Sequence, residues 1–452
     1  MGDTSDFESS NSAAAGIYRQ NAFYIRMSSL YNLDPTHDAP PIVAVAMHAH
    51  EYVHFLHNAS TTAGQSYLLA NLILLRALAA GSDDQGYFQG SDGMSEENRA
   101  WLRYAGSVMR AQLGGTAAKH LSGCENISLW ECTNPEINED DGIWTASTVF
   151  TARDAVGEPR SERVAIGLSF ITEGVAYEVD REMRKMAGMP EAQLDAQTKA
   201  FPYLAYRTLL RSWSGRDLTA RDCIAVGVTA LNHKLSGFWL AQICQALRDT
   251  TIPLDEVLKN ARRDCLVDSA SVLDEILKQR HDLSQGDVIH TAMGEYARLA
   301  QAGVQLRQGN WIPEFSFLTH KLDGEQLREW MGSMLDCLII QEKPDAMLDI
   351  SWIGPGHIAQ TDASAHRLGA LQSALHFSQL HLTADGSAVA TAVLDRRPTP
   401  CPFSGGCAVE LADEHPLECK CAPWKRFSLA SPGDPVCWYA AGVKALRQPT
   451  TS

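Results

Sequence analysis

Apolar residues recur along most of the chain at helical spacing, and only short stretches alternate in the manner of a strand. The predicted helices cover residues 42–58, 63–80, 95–112, 164–186, 191–213, 220–231, 236–248, 253–277 and 287–304. Strand-like patterns are found at 349–353 and 388–394. The segment 132–162 is polar and acidic, which predicts an inserted surface loop or a lid over a site. The pattern therefore predicts a mainly α fold with little sheet.

The first predicted helix carries ionisable groups within an otherwise apolar sequence. It contains His50-Glu51-Tyr52-Val53-His54, in which the histidines are four residues apart and share one helix face. Two imidazoles in this arrangement can bind one Zn²⁺. Glu51 is turned by about 100° from His50, which suits a group that holds a water better than a third ligand. The alternative is a buried helix whose histidines hydrogen-bond to their neighbours.

A zinc site of this kind needs a third protein ligand and an open coordination position. Glu173 is the first candidate, because it lies in an apolar, helix-like run within the sequence Thr-Glu-Gly at 172–174. At these two segments the chain resembles the gluzincin metallopeptidases, in which a glutamate from a later helix completes the site. The resemblance implies a zincin-like helical core, with His50, His54 and Glu173 as zinc ligands and Glu51 as the general base.

Four further residues near the two segments are candidates for lesser roles. Glu178 is the second candidate for the third ligand, and Asp180 could orient a ligand histidine through its free ring nitrogen. An exposed helix face is the alternative explanation for both carboxylates. His57 and His48 are expected beside the ligands or in the lining of the pocket.

Four of the eleven cysteines fall in a short stretch rich in proline and glycine near the C-terminus: Cys401, Cys407, Cys419 and Cys421. A stretch this short can hardly bury a core of its own, so four thiolates around a structural Zn²⁺ would stabilise it. His415 could replace one of the thiolates. An iron–sulfur cluster is a less favoured possibility, and unligated or redox-active cysteines are another.

The composition of the chain bears on which partners the protein can bind and in which cellular compartment it is expected. The formal net charge of −16 argues against sequence-independent binding of nucleic acid, which relies on lysine and arginine facing phosphates. No apolar run reaches the roughly 18–20 residues that a membrane span requires. The polar N-terminus does not resemble a secretory signal, and eleven cysteines cannot all pair, so we expect a reducing cytoplasm.

A chain of 452 residues is long enough for more than one structural unit. We expect a flexible N-terminus at 1–15 and a metallopeptidase core at 16–200 that contains the insertion 132–162. A helical domain at 201–395 and a small Cys-rich unit at 396–452, stabilised by metal, complete the expected organisation.

The function that this reading predicts is zinc-dependent hydrolysis of a protein or peptide substrate in the cytoplasm. The insertion and the Cys-rich unit would limit access to the site or recruit a regulatory protein partner. Two other classes stay open: a non-catalytic binding protein stabilised by metal, and a redox-sensing protein of stress or phage defence. The role of Glu51 separates them, because a binding protein does not need a general base.

Overall fold

The structure is a computed structural model that describes residues 16–33, 42–114, 119–121, 123–140, 142–196, 198–281, 288–343, 348–383, 387–403, 416–426 and 436–446. Within these ranges the chain is mainly helical, as the spacing of its apolar residues predicts. The helices are Ile42–Ser60 (α1), Thr62–Ala79 (α2), Glu96–Leu113 (α3), Leu168–Met186 (α4), Glu191–Leu194 (α5), Ala205–Ser214 (α6), Ala220–Leu231 (α7), Ser236–Leu247 (α8), Leu254–His281 (α9), Val288–Gly309 (α10), Gly324–Met334 (α11), Asp362–Leu380 (α12), Thr391–Leu394 (α13), Pro416–Cys421 (α14) and Trp438–Lys444 (α15).

The strands form two separate sheets. They are Gly16–Tyr18 (β1), Tyr24–Met27 (β2), Glu131–Cys132 (β3), Glu136–Asp140 (β4), Ile143–Arg153 (β5), Pro159–Ile166 (β6), Cys337–Glu342 (β7) and Leu348–Ile353 (β8). The first sheet has the order β1-β2-β7-β8, in which only the β2–β7 pair is parallel. Strand β8 confirms the strand predicted over 349–353. The first sheet therefore joins the beginning of the described chain to its last third.

Helix α1 lies within the larger of two apolar cores. Tyr52, Val53, Phe55 and Leu56 have no exposed surface. The helix packs against α4, α10 and α2, and strand β1 lies across it. Full burial of a large apolar side chain contributes roughly 1.5–3 kcal/mol, so this packing fixes the helix that carries the histidine pair.

The segment 132–162 forms most of the second sheet, so the prediction of an inserted loop is wrong. Strand β5 lies at its centre, paired antiparallel with β6 on one side and with β3 and β4 on the other. Its β-branched sequence places Ala146, Thr148 and Phe150 in the core at every second position. The acidic residues that suggested a loop lie mostly on β4, whose side chains are largely exposed. The acidic residues of β4 made the segment look like a loop, although buried and less buried residues alternate along most of β5.

The second sheet is packed tightly against the helices around it. Strand β6 ends at Ile166 and α4 begins at Leu168, so the sheet leads directly into the helix that carries Glu173. Helix α8 crosses this junction so closely that a Cβ at Gly237 would lie 1.8 Å from the carbonyl oxygen of Ile166. The sheet is therefore part of the framework that positions α4.

Two further predictions of secondary structure are wrong. The helix expected over 191–213 is interrupted between α5 and α6, where a π-helical turn at Ala200–Leu204 includes Pro202, which has no backbone donor. The strand expected over 388–394 is replaced by a single bridge between Leu382 and Ala388 and by the short helix α13. In the described residues this segment has no neighbouring strand with which to form a ladder.

The second apolar core joins α12 and α10 to the described part of the C-terminal region. Cys401, Phe403, Trp424 and Tyr439 are buried in it. Helix α15 crosses α12 closely, because a Cβ at Gly369 would lie 2.4 Å from the ring of Trp438. The C-terminal region therefore packs on the helical part of the molecule. The expected flexible segment 1–15, together with Cys407 and His415, lies outside the described residues.

None of the helices in the described ranges combines the length and the apolar character needed to cross a membrane.

Helix α4 approaches α6 closely at Gly174, which generates a stability prediction. A Cβ at Gly174 would lie 2.2 Å from Cγ of Tyr206, a buried ring, so Gly174→Ala should lower the free energy of unfolding by about 1–3 kcal/mol. Denaturant unfolding monitored by circular dichroism measures the change. Gly332→Ala in α11 is the matched control, because its nearest neighbour would be 3.9 Å away and stability should be unchanged or slightly higher. Equal stability of Gly174→Ala and wild type would contradict the close packing of α4 on α6.

Candidate metal centre

The two histidines of the H-E-x-x-H pattern point in the same direction from α1. One helical turn separates them, and the distance from Nε2 of His50 to Nε2 of His54 is 3.0 Å. Both side chains are buried, at 7% and 8% exposure. Two nitrogen atoms that can each offer a lone pair therefore converge on one point.

Glu173 reaches the same point from α4. Its Oε2 lies 3.6 Å from Nε2 of His50 and 3.3 Å from Nε2 of His54. Ligands about 2.0–2.1 Å from a tetrahedral Zn²⁺ are separated from one another by about 3.3 Å. The three donor atoms therefore form a triangle of the size that one zinc ion requires. Among the residues that the structure describes, these three form the group that fits a metal ion.

Two atoms of this group are buried and have no hydrogen-bond partner among the residues that the structure describes: Nδ1 of His50 and Oε2 of Glu173. An unpaired buried acceptor is costly, and a cation beside Oε2 would remove that cost. Burial by itself raises the pKa of Glu173, but the neighbouring His54 and His50 lower that pKa well below its usual range. The carboxylate is thus ionised, as a metal ligand must be.

Glu51 lies beside this group without joining it. Burial raises the pKa of its carboxyl to about 7; His50 opposes this shift and Glu173 adds to it. Strand β1 covers Glu51 so closely that a Cβ at Gly16 would lie 2.6 Å from its Cγ. A buried carboxyl whose pKa is near neutrality can both accept and return a proton.

Tyr203 is a residue of this site that sequence reasoning did not identify. It belongs to the π-helical turn before α6, and its ring centroid lies 6.0 Å from that of His50. The negative charge of Glu173, then burial, then Glu51 raise the pKa of Tyr203 well above its usual range. The phenol therefore keeps its proton and can donate it in a hydrogen bond. The local sequence Phe-Pro-Tyr-Leu carries no signal of this placement, which depends on α4 and α6 packing together.

Glu178 and Asp180 are both buried, so the exposed helix face that was the alternative explanation is wrong for them. Glu178 forms a bidentate ion pair with Arg207 and does not belong to the group that fits a metal ion. Asp180 pairs with Arg184 through two bonds of 2.9 Å. Burial raises the pKa of Asp180, and the charges of Arg184 and His50 oppose that shift. Asp180 makes no hydrogen bond to the His50 ring that it was expected to orient, since Nδ1 of His50 has no partner in the described residues.

The two other histidines of α1 have different surroundings. His57 lies beside the ligands, with its Nδ1 2.6 Å from the hydroxyl of Thr172 and its Nε2 3.1 Å from the carboxylate of Glu314. His48 instead has its Nδ1 3.0 Å from the carbonyl oxygen of Ala44, one turn earlier. Burial lowers the pKa of both histidines to about 4, so both rings are neutral.

The C-terminal cysteines are partly brought together. The N–H of Cys401 donates to the carbonyl of Cys419 (2.7 Å), and the N–H of Thr399 donates to the carbonyl of Cys421 (2.8 Å). Burial raises the pKa of the Cys419 thiol, and the nearby Cys437 raises it further. Because Cys407 lies outside the described residues, the second zinc and the iron–sulfur alternative stay predictions.

Comparison of the chain with protein-family models, with curated proteins and with solved structures gives no match. The case for a function therefore comes from the site itself.

The ligand triangle predicts the metal content of the purified protein. His50→Ala combined with His54→Ala, and separately Glu173→Ala, should each contain about one zinc fewer per chain than wild type, because a site of this kind needs all three protein ligands for tight binding. Elemental analysis after dialysis measures the loss. Glu51→Gln is the matched control and should keep its zinc. Zinc content that is unaffected by the histidine changes would show that the three donors do not form a metal site.

Proposed function

We propose that this protein is a zinc-dependent peptidase, with His50, His54 and Glu173 as the metal ligands. The convergence of two imidazole nitrogens and one carboxylate oxygen on one point supports this more than any other observation. Three protein ligands of this kind, with a further position open, are typical of catalytic rather than structural zinc. The side chain of Glu173 is 33% exposed, which puts the accessible side of the site next to this ligand.

A zinc ion held here would polarise a substrate carbonyl and make water a better nucleophile. Glu51 would take a proton from the water as its oxygen forms a bond to the scissile carbonyl carbon. As the carbon–nitrogen bond breaks, Glu51 would return that proton to the leaving amine. A pKa raised toward neutrality by burial suits both transfers.

Tyr203 would supply the hydrogen bond that the reacting carbonyl oxygen needs. Three other candidates for this role are engaged elsewhere. The hydroxyl of Tyr52 donates to the carbonyl of Met331, that of Tyr177 donates to Asp195, and His233 stacks on Trp239. The phenol of Tyr203 has no such partner in the described residues and lies beside His50. A donor aimed at developing negative charge contributes mainly to the transition state.

The second sheet and the C-terminal region would limit which substrates reach the site, as a peptidase in the cytoplasm requires. A protein or peptide is the proposed substrate, and a regulatory protein partner is part of the same proposal. The alternative is a non-catalytic protein in which the three ligands hold a structural metal, with a redox-sensing role for the C-terminal cysteines. The buried carboxyl of Glu51 favours the enzyme, because a structural site gains nothing from it.

Replacement of the proposed base should separate the two functions. Glu51→Gln keeps the size and most of the hydrogen bonding of the side chain but cannot accept the proton, so cleavage should fall by about 10²–10⁴-fold. The zinc-loaded protein is incubated with a proteome-derived peptide library, and new peptide termini are counted by mass spectrometry. Glu182→Gln changes a half-buried carboxylate on the same helix α4 that does not belong to the ligand set, and it serves as a control for loss of a carboxylate outside the site. Identical peptide patterns from wild type and Glu51→Gln would exclude the proposed mechanism.

Removal of the Tyr203 hydroxyl tests its proposed role as hydrogen-bond donor to the reacting carbonyl oxygen. Tyr203→Phe should reduce kcat by about 10²–10³-fold, with little change in KM and none in zinc content, because only the donor to the transition state is lost. Steady-state kinetics on a peptide found in the library experiment give both constants. Tyr177→Phe, whose ring neighbours Tyr203 but whose hydroxyl faces Asp195, is the matched control. A kcat for Tyr203→Phe within a factor of about three of wild type would remove Tyr203 from the mechanism.

A further inference from the structure

A row of buried polar side chains runs from His54 into the core. Nδ1 of His54 lies 3.1 Å from the hydroxyl oxygen of Thr172, and the same oxygen lies 2.6 Å from Nδ1 of His57. On the other side of the His57 ring, Nε2 lies 3.1 Å from Oε1 of Glu314, which is a close charge interaction but does not have the geometry of a hydrogen bond. Arg307 donates to both oxygens of Glu314, at 2.9 and 2.6 Å. All five side chains are buried, and none of the four beyond His54 belongs to the proposed ligand set.

The donor and the acceptor of each contact in this row can be assigned by starting from Arg307. Arg307 is a donor only, so Glu314 faces it as a carboxylate, which is an acceptor only. Burial would raise the pKa of Glu314, but Arg307 and His57 lower it to about 2, which keeps it ionised. A ring lone pair 3.1 Å from a carboxylate would be repelled, so the nitrogen of His57 that faces Glu314 carries the proton. Arg307 already compensates the charge of Glu314 and the His57 ring is fully buried, so the ring stays neutral and its Nδ1 has a free lone pair.

The remaining two bonds are then determined. Thr172 has one hydroxyl proton, and it must donate that proton to the free lone pair of His57. The oxygen of Thr172 is left as an acceptor toward His54. Nδ1 of His54 therefore carries a proton and donates it to this oxygen, which leaves Nε2 as the nitrogen that offers a lone pair to the ligand triangle.

We propose that Thr172, His57, Glu314 and Arg307 form a one-way relay of hydrogen bonds and ion-pair contacts that fixes the tautomer of His54, so that its Nε2 is ready to bind the metal. This inference rests on the proposed metal site. The four residues are positioning residues, since none of them faces the ligand triangle. His50 differs, because its Nδ1 is buried without a hydrogen-bond partner. The relay therefore acts on one of the two histidine ligands.

Replacement of Thr172 by valine is the sharpest test. Valine has the same β-branched shape and fits the same helix, so only the hydroxyl is lost. Thr172→Val should weaken zinc binding by about 10–100-fold, the usual effect of losing a group that orients a metal ligand. Thr172→Ser keeps the hydroxyl and should bind within about threefold of wild type. Zinc affinity is measured by competition with a chromophoric chelator, and circular dichroism checks that each variant is folded. Equal affinity of the valine variant and wild type would overturn the relay.

A second measurement reads the tautomer directly and needs no metal. In the metal-free protein labelled with ¹⁵N-histidine, two-bond proton–nitrogen spectra distinguish a ring protonated on Nδ1 from one protonated on Nε2. The assignment of each ring comes from His54→Gln and His57→Gln. We expect His54 with its proton on Nδ1 and His57 with its proton on Nε2, and we expect the His54 signal to become a mixture in Thr172→Val. A His54 proton on Nε2 in wild type would overturn the inference.

The two experiments separate the inference from the proposed function. A wild-type protein that binds no zinc would refute the metal site, while the spectra of the metal-free protein would still decide the tautomer. A protein that binds zinc but shows the opposite tautomer would refute the relay alone. If Thr172→Val fails to fold, His57→Gln takes its place, because glutamine can donate to Glu314 but offers no acceptor at the position of Nδ1. It should weaken zinc binding by the same factor, and unchanged affinity would again overturn the relay.

Discussion

The burial of ionisable groups on helix α1 is the physical constraint from which the rest of the site follows. His50, Glu51 and His54 occur among side chains with no exposed surface. Removing such groups from water costs several kcal/mol each unless partners replace the lost hydration. These partners come from other parts of the chain: α4 provides Glu173 and Thr172, and the core behind the helix provides an ion pair. The position of α4 against α1 is thus as important to the site as the histidine pair itself.

Part of this arrangement could be predicted from the sequence, because it depends on local spacing. Two histidines four residues apart on a helix must share a face, and the apolar residues around them place that helix in a core. Glu173 could be identified in the same way, as a carboxylate within an apolar helical run. The helices over 220–231 and 236–248 also follow from their periodicity, and they lie at or within one residue of those positions.

The rest depends on contacts between distant segments, which no local pattern contains. Tyr203 enters the site because the chain turns at Pro202 and α6 packs on α4 at Gly174. Arg307 and Glu314 are ordinary charged residues in the sequence. They are buried beside His57 because α10, which carries Arg307, packs against α1, and because the 3-10 turn Pro313–Leu318, which carries Glu314, packs against α4. The second sheet was missed for another reason. The acidic side chains of β4 face solvent, so their composition says nothing about the alternation in β5 that forms the sheet.

The separation of the ligands along the chain has a consequence for how the protein would acquire its metal. The histidines and Glu173 lie on opposite sides of the second sheet in the sequence, and they meet only when α4 has packed against α1. An unfolded or newly synthesised chain therefore offers a histidine pair but no complete chelating site. Metal capture at the proposed site would be a late event that follows assembly of the core, unlike small zinc domains in which the ion drives folding. Packing of the apolar core stabilises the fold that brings the three donors together, so the metal-free and the zinc-loaded protein should share one fold. Zinc should then raise the free energy of unfolding only by its own binding free energy.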